Sequence, residues 1–148
     1  LGIDVKVTSI KQPQSSCPFR SARQKIYGLG YALLVFVYDK TDDAQNSTGT
    51  LKVLHTIFVE RHRTADFQTT RTVLQIIDNE GNEDDFVAFM RDRNLPLDDI
   101  QAYEIARELL QNPPQQGYLT ISNALQWRLQ YRRVIDVAGE VDGVLRVG

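Results

Sequence analysis

The sequence predicts an α/β protein in which a mixed sheet flanked by helices comes first and a mostly helical region follows. Up to about residue 60, apolar residues alternate with polar ones or form short runs, which is typical of strands. From residue 64 onward they recur every three or four positions, which is typical of helices. The change predicts one unit at residues 1–80 and another at residues 81–148, divided near residues 78–82.

The first unit contains most of the predicted strands. They cover residues 2–9, 31–38 and 51–60. The first and third alternate between apolar and polar side chains, whereas the second is a continuous apolar run and is expected to be buried on both faces. A loop with two prolines at residues 11–19 leads into a short helix, which Ser21 caps and which Gly28 and Gly30 end.

The second unit is predicted to be mainly helical. Thr64 is the expected cap of a helix that leads into it, a second helix is centred on residues 86–90, and Asp98 opens a third. Each has apolar residues along one face and polar residues along the other, so each is expected to pack on one side only.

The last 30 residues are predicted to form a winged-helix-like region. Thr120 is the expected cap of a fourth helix, and a glycine-containing turn separates two strands at residues 133–137 and 144–147. This order of helices followed by a hairpin resembles a winged helix-turn-helix. The buried stripe of the fourth helix would be Ile121, Leu125 and Leu129, and its outward residues Asn123, Gln126 and Gln130.

Composition and charge exclude several classes of protein. The single cysteine, Cys17, excludes an internal disulfide or a cysteine-based zinc site and favours a reducing, cytoplasmic compartment. No apolar run approaches the roughly 20 residues that cross a membrane, and we expect no signal peptide. The net charge is −2, but basic residues are concentrated in residues 1–40 and 128–133, on either side of an acidic stretch at residues 78–108. Because the chain begins with Leu1 inside a strand pattern, we expect it to be a fragment or a trimmed chain.

The first strand carries the strongest candidate for chemistry. Asp4 and Lys6 lie two residues apart, so on a strand they project from the same face, roughly 6.5–7 Å apart along the backbone. A carboxylate in this position is suited to hold a hard cation such as Mg²⁺, which lowers the pKa of a bound water. A neighbouring ammonium group positions that water or offsets charge on a reacting phosphate.

The stretch from Gly2 to Thr8 resembles the second half of the PD-(D/E)XK nuclease motif, in which an acid and a lysine sit on an apolar strand. The resemblance implies a restriction-endonuclease-like sheet and Mg²⁺-dependent, site-specific cleavage of double-stranded DNA by a type II enzyme. It also implies that Asp4 is a metal ligand and Lys6 a catalytic group, with Gln24 on the following helix as a weaker catalytic candidate beside Tyr27. The first acid of the motif, which lies on the preceding strand in the family, has no counterpart in residues 1–148. Such enzymes are commonly homodimers, because two-fold DNA sites favour two-fold proteins.

Residues from both basic zones are candidates for DNA contact. Amide side chains suit bidentate contacts with adenine, and arginine and lysine suit phosphates. The candidates are Lys11, Arg20, Arg23, Asn123, Gln126, Gln130, Arg132 and Arg133.

Three other interpretations stay open at this point. Asp4 and Lys6 would be solvated charges if the first strand simply lay on the surface. The chain would be a non-catalytic DNA-binding module if only the winged-helix-like region were functional. It would be a protein-interaction domain if the acidic helices formed an interface, and it would then show no salt-dependent DNA binding.

Overall fold

A computed structural model describes residues 2–16, 21–43, 48–122 and 128–148. Within them the chain forms a mixed α/β fold. The strands are β1 (Ile3–Ser9), β2 (Gln14–Ser16), β3 (Ala32–Asp43), β4 (Thr48–Val59), β5 (Thr120–Ile121), β6 (Arg128–Gln130) and β7 (Val144–Arg146). The helices are α1 (Ala22–Tyr27), α2 (Phe67–Asp78), α3 (Glu83–Asp92), α4 (Asp99–Gln111) and α5 (Arg132–Val137), and a 3-10 helix covers Arg61–Thr64.

The larger sheet has the strand order β1-β3-β4-β7, with β1 at one edge. β1 runs parallel to β3, and the other neighbours are antiparallel, so the predicted mixed sheet is confirmed. The parallel connection passes through α1, which ends at Gly28 (φ 101°) as the glycine pattern predicted. The register places Asp4 beside Leu33 and Lys6 beside Val35.

A smaller antiparallel sheet has the order β2-β6-β5 and lies against the end of β1. The Thr8 hydroxyl connects the two sheets, because it donates to the Gln14 carbonyl (3.2 Å) and accepts from the Gln14 amide (3.0 Å). The Tyr131 amide donates to the Pro13 carbonyl at 2.8 Å. These bonds hold β2 and β6 beside the loop that follows β1.

The predicted helices at residues 64–111 are confirmed, although the first begins later than expected. Its cap is Asp66, whose carboxylate accepts from the Thr69 amide at 3.1 Å. Thr64 instead lies in the 3-10 helix, where its hydroxyl donates to Arg61 and accepts from the Leu29 amide. Asp98 caps α4, as predicted.

Two hydrophobic cores hold these elements together. One lies between the larger sheet and the C-terminal elements and includes Leu33, Val35, Leu129 and Tyr131. The other joins α1 to α2, α3 and α4 through residues such as Phe86. Both cores combine residues from the two sides of the predicted division near residues 78–82, and the division itself stays a prediction. Among the described helices, none has the length and apolar character needed to cross a membrane.

The C-terminal region differs from the predicted winged helix. Thr120 begins strand β5 and does not cap a helix, and residues 133–137 lie in helix α5 and not in a strand. The pattern misled because Ile121 and Leu129 have a spacing that fits one face of a helix, whereas they lie opposite each other on the paired strands β5 and β6. The Ile121 amide bonds to the Asp66 carboxylate at 2.8 Å, so it does not enter a helical bond. Leu125 lies outside the described residues, and the winged-helix order is not confirmed.

Asp66 is predicted to be a major contributor to stability. Its buried carboxylate accepts from Thr69 and from Ile121, so Asp66→Ala removes a helix cap and also leaves a buried amide without its partner. We expect a loss of about 3 kcal/mol in the free energy of unfolding, measured by urea denaturation of the full-length protein. The matched change Asp98→Ala removes an exposed cap of the same type and should cost about 1 kcal/mol. Equal losses for the two variants would contradict this assignment.

Candidate functional site

The polar face of β1 points towards the side of the sheet that carries the core. Asp4 and Lys6 are paired in register with Leu33 and Val35, both fully buried, and Thr8 on the same face is itself buried. The charged residues of β1 therefore lie on the core-facing side of the sheet, whereas its apolar residues are exposed. The interpretation of Asp4 and Lys6 as solvated charges stays open, because both side chains are still partly exposed.

Asp4 and Lys6 form an ion pair at the edge of this face. The Lys6 ammonium nitrogen lies 3.1 Å from an Asp4 carboxylate oxygen, and the side chains are 20% and 41% exposed, respectively. Both groups are thus held by the strand and remain accessible from one side. This arrangement places a carboxylate, which is a group able to hold a cation, beside a positive charge that could face a phosphate.

The fit to a metal ion is partial. Among the described residues, no group of three or more His, Cys, Asp or Glu side chains is close enough to hold a metal. Mg²⁺ is commonly bound by one or two protein carboxylates, with waters and substrate phosphates completing its shell. Asp4 therefore supplies one carboxylate ligand of such a site. The remaining ligands must come from water, substrate or residues outside the described ranges.

Gln24 and Tyr27 have local structural contacts on α1. The Gln24 side-chain carbonyl accepts from the Ser21 amide at 3.1 Å and completes the capping box of the helix. Tyr27 donates to the Asn112 carbonyl at 2.8 Å, and burial raises the pKa of its phenol to about 12, so it stays neutral and acts as a donor. The described contacts do not connect either side chain to Asp4, and the catalytic role of Gln24 stays a prediction.

Three of the predicted DNA-contacting residues lie together in space, namely Lys11, Gln130 and Arg132. Pairing of β2 with β6 places Gln14 directly beside Gln130, and Arg132 follows at the start of α5, where it donates to the Ile10 carbonyl at 3.1 Å. A shallow cavity of about 320 Å³ is formed there. Its lining residues are Lys11, Gln12, Pro13, Gln14, Gln130 and Arg132. We call this set the basic amide groove.

The groove begins where β1 ends, close to the Asp4–Lys6 pair. Lys11 follows Lys6 by five residues, so their Cα atoms are at most roughly 17 Å apart, and the turn after Ser9 shortens this separation. Successive phosphates of one DNA strand are about 3.4 Å apart along the helix axis, so the upper limit corresponds to roughly five base pairs.

The other predicted DNA contacts are separated from the groove or lie outside the described residues. Arg23 makes a two-pronged ion pair with Glu108 and stacks on Tyr27, which places it on the helical side of the molecule. Arg133 packs its guanidinium 3.8 Å from the centre of the Phe67 ring. Arg20, Asn123 and Gln126 fall in ranges that the structure does not describe.

Sequence reasoning missed Gln12 and Gln14 as members of the groove. Residues 11–19 were expected to form only a loop, because two prolines interrupt them. Strand β2 exists because β6, more than 100 residues later, pairs with it. No local pattern in the sequence predicts such a distant pairing.

The fold and the candidate site point to one class of protein. A carboxylate and an ammonium group on a sheet edge, beside a groove lined by basic and amide side chains, are groups of the kinds that contact phosphodiesters and their metal ions. The family model of the type II restriction enzyme NspV matches residues 1–146, and the chain belongs to this family.

A curated relative supports the same membership. The chain is 68% identical over 145 residues to the type II restriction enzyme NspV from Nostoc sp. (strain ATCC 29411 / PCC 7524). The match covers 98% of this chain and 66% of the relative, so the chain spans just under two thirds of that protein's length. No solved structure matches the chain.

Thr8 is predicted to hold the groove in place relative to β1. Thr8→Val keeps the shape of the side chain but removes both hydrogen bonds to the Gln14 backbone. We expect a loss of about 1.5 kcal/mol in the free energy of unfolding, because two part-buried hydrogen bonds are lost while the Gln14 amide keeps its bond to the Gln12 carbonyl (2.9 Å). The control Thr72→Val removes an exposed bond to the Gln68 carbonyl within α2 and should cost less than about 0.5 kcal/mol. Thermal or urea denaturation of the two full-length variants tests this difference, and indistinguishable stabilities would refute it.

Proposed function

We propose that the full-length protein cleaves double-stranded DNA at specific sites in a Mg²⁺-dependent reaction. The observation that supports this most is the placement of Asp4 and Lys6 side by side on the covered face of an edge strand, in a chain of the NspV type II restriction enzyme family. The relative of that name is described as a type II restriction enzyme.

The two β1 residues would divide the chemistry. Asp4 offers carboxylate oxygens as a metal ligand, which suits the hard cation Mg²⁺. When bound, Mg²⁺ would supply charge neutralisation at the phosphate and a water of lowered pKa. Lys6, 3.1 Å from Asp4, would stabilise the negative charge that develops on the phosphate or orient the attacking water.

The resemblance to the PD-(D/E)XK motif extends this proposal. It implies a further acid on a strand that precedes β1, and such an acid would have to lie outside residues 1–148. Gln24 remains a candidate for orienting water or phosphate only if its cap contact with Ser21 is exchanged on DNA binding.

DNA would be held mainly by the basic amide groove. Lys11 and Arg132 supply positive charge to phosphates, and Gln14 and Gln130 supply amide groups suited to adenine edges. A homodimer on a two-fold DNA site is part of the proposal, because two-fold DNA sites favour two-fold proteins and each subunit would then bring one Asp4–Lys6 pair to one strand.

The cleavage proposal predicts that removal of either charge of the Asp4–Lys6 pair lowers the activity. Asp4→Asn and Lys6→Met should each reduce the cleavage rate of plasmid DNA with Mg²⁺ by at least about 100-fold, because each removes charge at the reacting phosphate. The full-length protein is used, so that every ligand that its gene supplies is present.

The chain contains a matched control for this experiment. Lys40 and Asp42 are also two residues apart on a strand and lie 3.8 Å from each other, but both are strongly exposed. Asp42→Asn and Lys40→Met should leave cleavage unchanged. If the changes at Lys40 and Asp42 lowered the cleavage rate as much as those at Asp4 and Lys6, the Asp4–Lys6 pair would be excluded as the catalytic site. Full activity of both β1 variants would exclude it as well.

The groove proposal predicts a change in the salt dependence of DNA binding. Lys11→Ala and Arg132→Ala should each weaken binding and reduce the slope of log K against log salt concentration by about 1, because each removes one phosphate contact. Fluorescence anisotropy with a labelled duplex measures both the affinity and the salt slope. Ca²⁺ takes the place of Mg²⁺ in this assay, so that binding is followed without cleavage of the DNA.

Arg91→Ala is the control for the loss of one positive charge. Arg91 pairs with Asp99 at 2.7 Å on the exposed helical side, away from the groove. Its removal should leave the salt slope as it is. Unchanged slopes for the groove variants would place the DNA elsewhere on the molecule.

A further inference from the structure

A small cavity of about 170 Å³ lies where α1, the start of α2, the end of α3 and strand β5 meet. We call it the Lys25 pocket. Neither the Asp4–Lys6 pair nor the basic amide groove includes any of its described lining residues. The lining residues used below are Lys25, Asp66, Thr69, Arg93 and Thr120.

The pocket contains a buried lysine next to a second cation. Lys25 is only 3% exposed, whereas lysine is rarely buried unless it is paired with an opposite charge. Burial lowers the pKa of its ammonium group, Asp66 opposes this effect, and the nearby Arg93 lowers the pKa further. Two neighbouring cations in a poorly solvated place are costly unless negative charge balances them. An anion in the pocket would supply that balance.

The carboxylate in the pocket is already engaged by three hydrogen bonds. One Asp66 oxygen accepts from the Thr69 amide (3.1 Å) and the Thr69 hydroxyl (2.7 Å), and the other accepts from the Ile121 amide (2.8 Å). The described lining residues thus carry two positive charges and one hydrogen-bonded negative charge. Residues 17–20 and 123–127, which follow β2 and β5 in the sequence, contain no Asp or Glu and add no negative charge.

The pocket borders the basic amide groove. In the smaller sheet, Gln14 is the register partner of Gln130, and Gln130 is the partner of Thr120. Partners on antiparallel strands carry their side chains on the same face, so Thr120 lies on the face that carries the two glutamines of the groove. Two strand spacings, or roughly 10 Å, separate Gln14 from Thr120. Since each DNA strand presents a phosphate about every 3.4 Å along the axis, a duplex in the groove brings further phosphates to this distance.

We propose that the Lys25 pocket binds a phosphate group. Lys25 provides positive charge from the buried side, the half-buried Arg93 provides it from the rim, and Thr120 brings a hydroxyl group. Arginine and lysine are the side chains best suited to phosphate oxygens. Arg93 also packs 5.5 Å from the centre of the Phe89 ring, a contact that orders its side chain through the face of the guanidinium group.

The backbone of the DNA held in the groove is assigned as the source of this phosphate, and this step rests on the proposed function. The affinity of the pocket for phosphate itself does not, because the lining residues alone determine it. The pocket would then add a phosphate contact at the end of the groove that lies away from Lys11.

Inorganic phosphate is the probe for the pocket itself. In the isotope-labelled full-length protein, the amide NMR signals of Thr69 and Thr120 should shift saturably as phosphate replaces chloride at constant ionic strength. Arg93→Gln and Lys25→Met should each raise the dissociation constant at least about tenfold, because each removes a charged donor to the anion. Arg93→Gln decides the result if Lys25→Met fails to fold, since Arg93 is only half-buried.

Arg91→Gln is the matched control, because Arg91 lies two residues before Arg93 and pairs with Asp99 on the surface. It should leave the dissociation constant unchanged. Saturable shifts that are weakened by Arg93→Gln and not by Arg91→Gln support the proposal. The absence of saturable shifts overturns it, and so does equal weakening by the two arginine variants, because phosphate then responds only to overall charge.

A duplex then identifies the source of the phosphate. The titration is repeated on protein saturated with DNA in a buffer without divalent cations, in which the DNA is not cleaved. If a DNA phosphate occupies the pocket, inorganic phosphate no longer shifts the two signals, and Arg93→Gln reduces the salt slope of DNA binding by about 1. Undiminished phosphate binding beside the duplex overturns the assignment to DNA and leaves a pocket for free phosphate. Failure of the cleavage proposal would not alter the phosphate titration, so the two proposals fail separately.

Discussion

The parallel pairing of β1 with β3 is the constraint on which the rest of the structure depends. It fixes which side of β1 faces the core and therefore places Asp4 and Lys6 beside the buried residues Leu33 and Val35. A shift of one residue in this register would move the two charges to the outer face and turn Val5 inward. The position of the candidate site, the exposure of the apolar face and the direction of the chain into β2 all follow from the same pairing.

This arrangement also brings together chain segments that are far apart in sequence. The loop after β1 pairs with β6, and this pairing brings Lys11 next to Gln130 and Arg132. Lys11 and Arg132, which come from basic zones that are separate in sequence, thereby line one surface next to the end of β1. The overall charge of −2 gives no indication of this surface, because about half of the acidic residues are concentrated in residues 78–108, in and around α3 and α4.

The sequence predicted those parts of the fold that depend on local periodicity. β1, β3, β4 and the helices α1 to α4 have strong patterns with clear caps or glycine ends, and each was found close to its predicted place. After residue 118 the predicted strand at 144–147 was found as β7, whereas the predicted fourth helix was wrong. Ile121 and Leu129 pair with each other across two short strands, and Leu129 also pairs with the distant Ser15, which the helical spacing does not reveal. Asp4 and Lys6 were recognisable because strand geometry alone places them on one face. The membership of Gln12 and Gln14 in the groove depends on long-range pairing and has no local signal.

We propose that the polar face of β1 binds Mg²⁺ through Asp4. The most direct test is a Mn²⁺ titration of the isotope-labelled full-length protein, followed by paramagnetic broadening of its amide NMR signals. The account predicts that signals of residues 3–7 and of their β3 partners broaden first, and that Asp4→Asn abolishes this while Asp42→Asn does not. First broadening in the acidic helices α3 and α4, or broadening at β1 that survives Asp4→Asn, would contradict the claim.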